Sequence, residues 1–81
     1  MAVVLLSKPP YSMVIVWSQE DGAYLVHLPE FDFQKFHTHG ETYGEAATKG
    51  QEVIESLISW YQEEGKPLPE MKPAVSLVVA A

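Results

Sequence analysis

Three histidines are the side chains in this sequence whose type and spacing best suit chemistry. His37 and His39 are two residues apart, and His27 ends an earlier apolar run. Side chains at positions i and i+2 of a strand share a face, so this pair has the geometry of two metal ligands, with His27 as a third from a neighbouring strand. The alternative is that all three rings are cross-strand polar groups with satisfied hydrogen bonds, and the residue types favour that alternative.

The carboxylates are not spaced for catalysis. A two-metal nuclease site needs acidic side chains that converge from several elements. The apolar runs 11–17 and 74–81, which we interpret as strands, contain no acidic residue. The chain also has no cysteine, and its serines lack the sequence context of a nucleophile. We therefore expect a protein that is not an enzyme and that needs no cofactor.

The charge balance indicates what kind of partner the chain can bind. Eleven acidic residues stand against five lysines and no arginine, for a formal net charge of −6. Nucleic-acid binding depends on cations that face phosphates, so we expect no direct contact with DNA or RNA. A basic protein is the complementary partner for such a surface. The other interpretation is that the charge serves solubility, as it does in many small domains.

One short segment combines aromatic and acidic side chains. Glu30, Phe31, Asp32 and Phe33 follow Pro29 and form a predicted loop that exposes both phenylalanines. Aromatic side chains dominate interface hot spots, and flanking carboxylates suit a basic partner. These four residues are our predicted partner-binding site. The alternative is that the phenylalanine rings fold back onto the edge of the core.

Apolar patterning predicts the elements that carry these residues. Residues 11–18 and 23–28 are β-branched and aromatic runs joined by Gln19-Glu20-Asp21-Gly22, which predicts a hairpin. Residues 36–39 predict a short third strand, ended by Gly40. The segment 74–81 predicts a last, buried strand.

A single helix is expected over residues 43–64. Thr42 and Glu45 form a capping box, and apolar residues then recur at helical spacing up to Tyr61. Gly65 supplies the left-handed stop. Gly50 lies in mid-helix, where glycine costs stability, and so indicates close approach to a strand.

The predicted order β-β-β-α-β is that of an α+β two-layer sandwich, formed by the whole chain 1–81 as one domain. The fold has an antiparallel three-stranded sheet, one helix packed on one face, and a fourth strand at the C-terminus. One helix covers only one face of an apolar sheet, so we expect a homodimer or higher homo-oligomer. The sequence has neither a signal-peptide pattern nor an apolar stretch of membrane-spanning length, so we expect a cytoplasmic protein without membrane contact.

Five short segments, in this order and spacing, resemble the HicB-like antitoxin family. The similarity spans residues 11 to about 70, and the segments are Tyr11–Trp17, Glu20–Tyr24, His27–Glu30, Thr38–Ala46 and Glu64–Pro69. The resemblance implies a partly degraded ribonuclease-H-like fold. It also implies binding to a small, basic, RNA-cleaving toxin of the HicA type, which the antitoxin neutralises.

The chain departs from that family pattern in two places. It ends at Ala81, directly after the predicted fourth strand, so we expect no C-terminal DNA-binding module. Residues 31–35 stand where the family often has a Pro-Gly-Cys-type loop, so partner choice is expected to differ, or the chain has no toxin at all. The alternative function is therefore an orphan oligomeric protein that binds a ligand or a metal through His27, His37 and His39.

Overall fold

A computed structural model describes residues 11–72 of this chain. The elements in chain order are β1 (Val14–Ser18), β2 (Ala23–His27), β3 (Thr38–Gly40) and α1 (Tyr43–Glu63). The strands form one antiparallel sheet in the order β1-β2-β3. The α+β class and the three-stranded antiparallel sheet are thus confirmed. The strand predicted at 74–81 lies outside the described residues, as does the start of the chain.

The hairpin between β1 and β2 has a four-residue loop. Ser18 pairs with Ala23, and the main-chain N–H of Gly22 donates to the carbonyl oxygen of Ser18 over 2.8 Å. Gly22 has a φ of +62°, which a side chain would disfavour, whereas Asp21 stays outside the positive-φ region. Asp21 instead accepts a 2.7 Å hydrogen bond from the Ser18 hydroxyl. Because the loop has four residues rather than two, only glycine needs the unusual conformation.

Both ends of α1 are capped as the sequence predicts. The main-chain N–H of Glu45 donates to the Thr42 hydroxyl oxygen over 3.0 Å, while the Glu45 carboxylate accepts from the main-chain N–H of Glu41. At the other end Gly65 has a φ of +69°, and the main-chain N–H of Lys66 donates to the carbonyl oxygen of Tyr61 over 2.9 Å. This is a Schellman motif, which satisfies carbonyls that the last helical turn leaves unpaired.

Two glycines allow α1 to lie close to the sheet. A β-carbon on Gly50 would come within 2.7 Å of the Met13 sulfur and 3.1 Å of a Val26 methyl. A β-carbon on Gly40, in β3, would overlap the main-chain nitrogen of Ala46. The predicted close approach at Gly50 is confirmed, and β3 meets the first turns of α1 in the same way.

The core lies between α1 and one face of the sheet. Its buried members are Val26, Leu28, Phe31, Ala46 and Ile54. Ile15 and Met13 pack against this core, whereas Val14 and Val16 alternate with them and are exposed on the opposite face. No helix in residues 11–72 combines the length and the apolar character needed to cross a membrane.

Candidate functional site

The four residues predicted to bind a partner divide into two pairs. Glu30 and Phe31 are buried, with 7% and 1% of their surfaces exposed, while Asp32 and Phe33 are exposed. The expectation that the loop exposes both phenylalanines is therefore wrong for Phe31. Its ring packs edge-on against Tyr11, at a centroid distance of 4.9 Å, and against Tyr61, at 5.7 Å. Phe31 completes the core because the chain after β2 turns back over the end of the sheet.

Glu30 joins three parts of the chain. Its carboxylate accepts 3.0 Å hydrogen bonds from the main-chain N–H of Ser12, from the Ser12 hydroxyl and from the main-chain N–H of Lys72. The hydroxyl of Tyr11 donates to the carbonyl oxygen of Pro69 over 2.6 Å. We call Tyr11, Ser12, Glu30, Phe31 and Lys72 the Glu30 cluster. It holds the segment after α1 beside the residues that lead into β1.

The hydrogen bonds decide the ionisation of Glu30. Burial raises the pKa of the Glu30 carboxyl, but the donors from Lys72 and Ser12 outweigh it, and the pKa lies below its ordinary value. The pKa of the Tyr11 hydroxyl is raised, first by burial and then by the negative charge of Glu30. Glu30 is thus a charged carboxylate whose acceptor sites are used inside the fold, which suits a structural role better than proton transfer.

His27 and His37 lie together at the end of β2, and both hold the loop that follows it. Their ring centroids are 6.1 Å apart. Nδ1 of His27 donates to the carbonyl oxygen of Lys35 over 2.6 Å. Nε2 of His37 donates to the carbonyl oxygen of Phe31 over 2.6 Å, and Nδ1 of His37 accepts from the main-chain N–H of Leu28 over 3.4 Å. Both ring nitrogens of His37 are therefore engaged with the main chain.

His39 is exposed in β3, opposite Leu25 of β2. No group of three histidine or acidic side chains with the spacing of a metal site occurs in residues 11–72. The three predicted ligands thus share a region of the sheet, but His27 and His37 use ring nitrogens for main-chain hydrogen bonds. This arrangement matches the alternative stated for them, cross-strand polar residues with hydrogen-bond partners.

A second group of side chains was not singled out by the sequence. Trp17 and Tyr24 are directly opposite each other in the β1–β2 hairpin, with ring centroids 4.9 Å apart. Tyr43, at the start of α1, lies 4.3 Å from Tyr24 between centroids. We call these three residues the Trp17 cluster. Trp17 is 53% exposed and Tyr43 63% exposed.

Acidic residues are close in sequence to the members of the Trp17 cluster. Glu20 and Asp21 are in the hairpin loop next to Trp17, and Glu41 stands between β3 and Tyr43. No lysine or arginine occurs in 9–34 or in 36–48, the stretches of sequence that contain the cluster. The signal that would have found this site is the hairpin register, since a four-residue loop pairs residue 17 with residue 24.

A shallow groove runs along α1 on the β3 side. It has a volume of about 650 Å³, and its lining residues are Thr38, Lys49, Glu52, Val53, Ser56, Leu57 and Trp60. Small-molecule sites are usually enclosed and carry convergent polar groups. This groove is wide open, so it does not resemble such a site.

Comparison of the chain with protein-family models, curated proteins and solved structures finds no match in any of the three.

Proposed function

We propose that this chain is a protein-binding domain of the HicB antitoxin type, without catalytic activity, that neutralises a small basic RNA-cleaving toxin by direct binding. The observation that carries the proposal is that the reactive side chains serve the fold, whereas aromatic side chains are left exposed. Glu30, His27 and His37, which have the chemistry for catalysis, are occupied with hydrogen bonds that hold the loop and the C-terminal segment. Aromatic side chains remain at the surface.

The charge of the chain supports a basic partner. A net charge of −6 without any arginine gives an acidic surface, which attracts a basic protein and repels nucleic acid. An RNA-cleaving toxin needs cations around its active site to hold phosphates. An acidic antitoxin can cover such a site without contacting RNA itself. The proposal places the chain in the cytoplasm, where the toxin would meet RNA.

The proposal includes the finer architecture that the resemblance implies, a two-layer sandwich with a fourth strand formed by residues 74–81. The Glu30 cluster supports it, because the main-chain N–H groups of Ser12 and Lys72 bind the same carboxylate. Chain that continues from Lys72 therefore starts beside the beginning of β1, which is an edge of the described sheet. A right-handed crossover from β1 through α1 would bring such a strand in parallel to β1.

Self-association is a further part of the proposal. Val14 and Val16 are 38% and 40% exposed on the face of the sheet away from α1. Small domains commonly cover such surface with a second copy of the chain. Light scattering on the purified protein should show a homodimer or higher oligomer, and exchange of both valines for lysine should shift it to the monomer. A monomeric wild type would contradict this part alone.

The proposed function is tested by co-expression with the product of the neighbouring small open reading frame. We expect a stable complex, and we expect the purified chain to stop RNA cleavage by that partner at equimolar ratio. A matched control is the chain with Phe31→Ala, which removes a core side chain and should lose protection through unfolding. If the neighbouring product is not basic, or binds nothing, the antitoxin role is wrong.

A further inference from the structure

We propose that the Trp17 cluster is the contact surface for an arginine-rich segment of the basic partner, with guanidinium groups stacked on the aromatic rings. This inference rests on the proposed function and identifies the part of the molecule that performs it. The predicted site at residues 30–33 does not serve this purpose as a unit, since Glu30 and Phe31 are buried.

The first support is the arrangement of the rings. Trp17 packs edge-on against Tyr24, with 60° between ring planes, and Tyr24 is tilted by 39° against Tyr43. Each ring thus limits the motion of its neighbour, while Trp17 and Tyr43 keep more than half of their surfaces in solvent. Tryptophan and tyrosine are the residues most enriched in interface hot spots. Rings that are held in place lose little conformational entropy when a partner binds.

The second support is charge. The sequence around the cluster supplies Glu20, Asp21 and Glu41, without a lysine or arginine in residues 9–34 or 36–48. The pairing of Trp17 with Tyr24 places the hairpin loop beside the rings, and the pairing of Tyr24 with Gly40 places Glu41 close by. A cation that stacks on these rings would therefore lie beside two segments that carry acidic residues and no basic ones.

The other exposed tryptophan shows what covers such a ring in this chain. Trp60 is 45% exposed, and Nζ of Lys66 lies over its ring, 4.4 Å from the centroid. Within residues 11–72, Lys66 over Trp60 and Lys35 over Phe36 are the cation–π contacts. Arginine suits the Trp17 cluster better than lysine does, because its planar guanidinium can stack on a ring and still donate to two carboxylates.

The test uses the full chain and two synthetic peptides of equal length and charge, one of alternating arginine and glycine and one of alternating lysine and glycine. Calorimetric titration at low salt should show tighter binding of the arginine peptide. Trp17→Ala should weaken its binding about fivefold or more, as loss of a cation–π contact does. Trp17→Phe should retain part of the affinity. Trp60→Ala, which removes the other exposed tryptophan, is the matched control and should leave the affinity unchanged.

A second pair of variants distinguishes the effect of acidic residues beside the cluster from the effect of the net charge of the whole chain. The double variant Glu20→Gln/Asp21→Asn and the double variant Glu52→Gln/Glu55→Gln each remove two negative charges. The first, beside the cluster, should weaken binding more than the second, which is on α1. Thermal melting of every variant establishes that it is folded.

Three outcomes overturn the inference: no binding of the arginine peptide to the wild type, equal affinity for both peptides, or equal effects of Trp17→Ala and Trp60→Ala. The same tryptophan variants, assayed with the co-expressed partner, separate the two proposals. A partner that binds Trp17→Ala as tightly as the wild type overturns this surface and leaves the proposed function standing. If the chain binds the arginine peptide but no neighbouring gene product, the proposed contact surface stands and the antitoxin role is wrong.

Discussion

The Glu30 cluster and the Trp17 cluster both contain aromatic rings in edge-on or tilted contact, and they lie at opposite ends of β1. The first includes a carboxylate, and acidic residues are close in sequence to the second. In the Glu30 cluster the carboxylate accepts three hydrogen bonds and Phe31 is buried. In the Trp17 cluster the rings of Trp17 and Tyr43 are exposed.

An acidic and aromatic composition therefore does not itself identify a binding site. Every buried side-chain nitrogen or oxygen in residues 11–72 has a hydrogen-bond partner. At Glu30 two main-chain N–H groups and the Ser12 hydroxyl supply the donors, so the carboxylate is used to hold the fold. A contact surface instead needs side chains that the fold positions without covering.

Loss of the Phe31 ring should destabilise the fold most. Replacing Phe31 with alanine should lower the free energy of unfolding by about 3–5 kcal/mol, because the change leaves a cavity between Tyr11 and Tyr61. The exposed Phe33→Ala should change it by less than about 0.5 kcal/mol. Urea unfolding measures both. If the alanine variant does not fold, Phe31→Leu can be measured in its place. Equal effects at Phe31 and Phe33 would contradict the assignment of one ring to the core and the other to the surface.

Glu30→Gln should have the next largest effect. It removes the charge from an acceptor of three hydrogen bonds, at a cost of about 1.5–3 kcal/mol at neutral pH. Glu20→Gln, an exposed acid in the hairpin loop, is the control and should have little effect.

The pH dependence of the free energy of unfolding also tests the role of Glu30. Because the folded-state pKa of Glu30 is lowered, its stabilisation is complete above the ordinary glutamate pKa of about 4.3 and is lost as the pH falls through the folded-state pKa. Chemical unfolding of the wild type between about pH 6 and pH 3 should show this loss. Glu30→Gln should show a smaller slope in that range, and an unchanged slope would contradict the assignment.

A smaller effect is expected at His37. His37→Ala removes the donor to Phe31 and the acceptor for Leu28, and should cost about 1–2 kcal/mol. His39→Ala, at an exposed position of β3, should have little effect. Addition of zinc should leave the melting temperature of the wild type unchanged. A rise in melting temperature with zinc that disappears in both variants would instead support the metal-binding alternative.

The smallest effect is expected from one hydroxyl. Tyr11→Phe removes the donor to the Pro69 carbonyl and should cost about 1 kcal/mol. Tyr43→Phe, in the exposed cluster, should cost nothing measurable by the same unfolding assay. Equal effects would show that the hydroxyl of Tyr11 does not hold the C-terminal segment.

The sequence predicts the elements well where a local signal determines them. The helix, predicted over 43–64, is observed at Tyr43–Glu63, because the Thr42 hydroxyl caps its start and Gly65, with its positive φ, ends it. The hairpin of β1 and β2 was predictable from the turn residues of its loop. The first strand begins at Val14 rather than at residue 11, and β3 is Thr38–Gly40 rather than 36–39. Those bounds depend on which residues find a partner strand, which one segment alone does not determine.

The candidate site was predictable only in part. Phe31 and Phe33 are equivalent in composition, and a five-residue loop has no periodicity that tells a buried ring from an exposed one. Their difference comes from Tyr11 and Tyr61, which the fold brings to Phe31 from distant parts of the chain. The Trp17 cluster, by contrast, combines a local hairpin register with the position of Tyr43 at the start of α1, and only the first of these can be inferred from the sequence.

The position of the Glu30 carboxylate indicates where a label can be attached to the protein. Because Ser12 and Lys72 meet at Glu30, the two ends of the described residues lie close together. Trp17 is five residues after Ser12, roughly 17 Å away along an extended chain. A dye or bead joined to the exposed Lys72 side chain would therefore sit near the start of β1 and leave the tryptophan facing the medium.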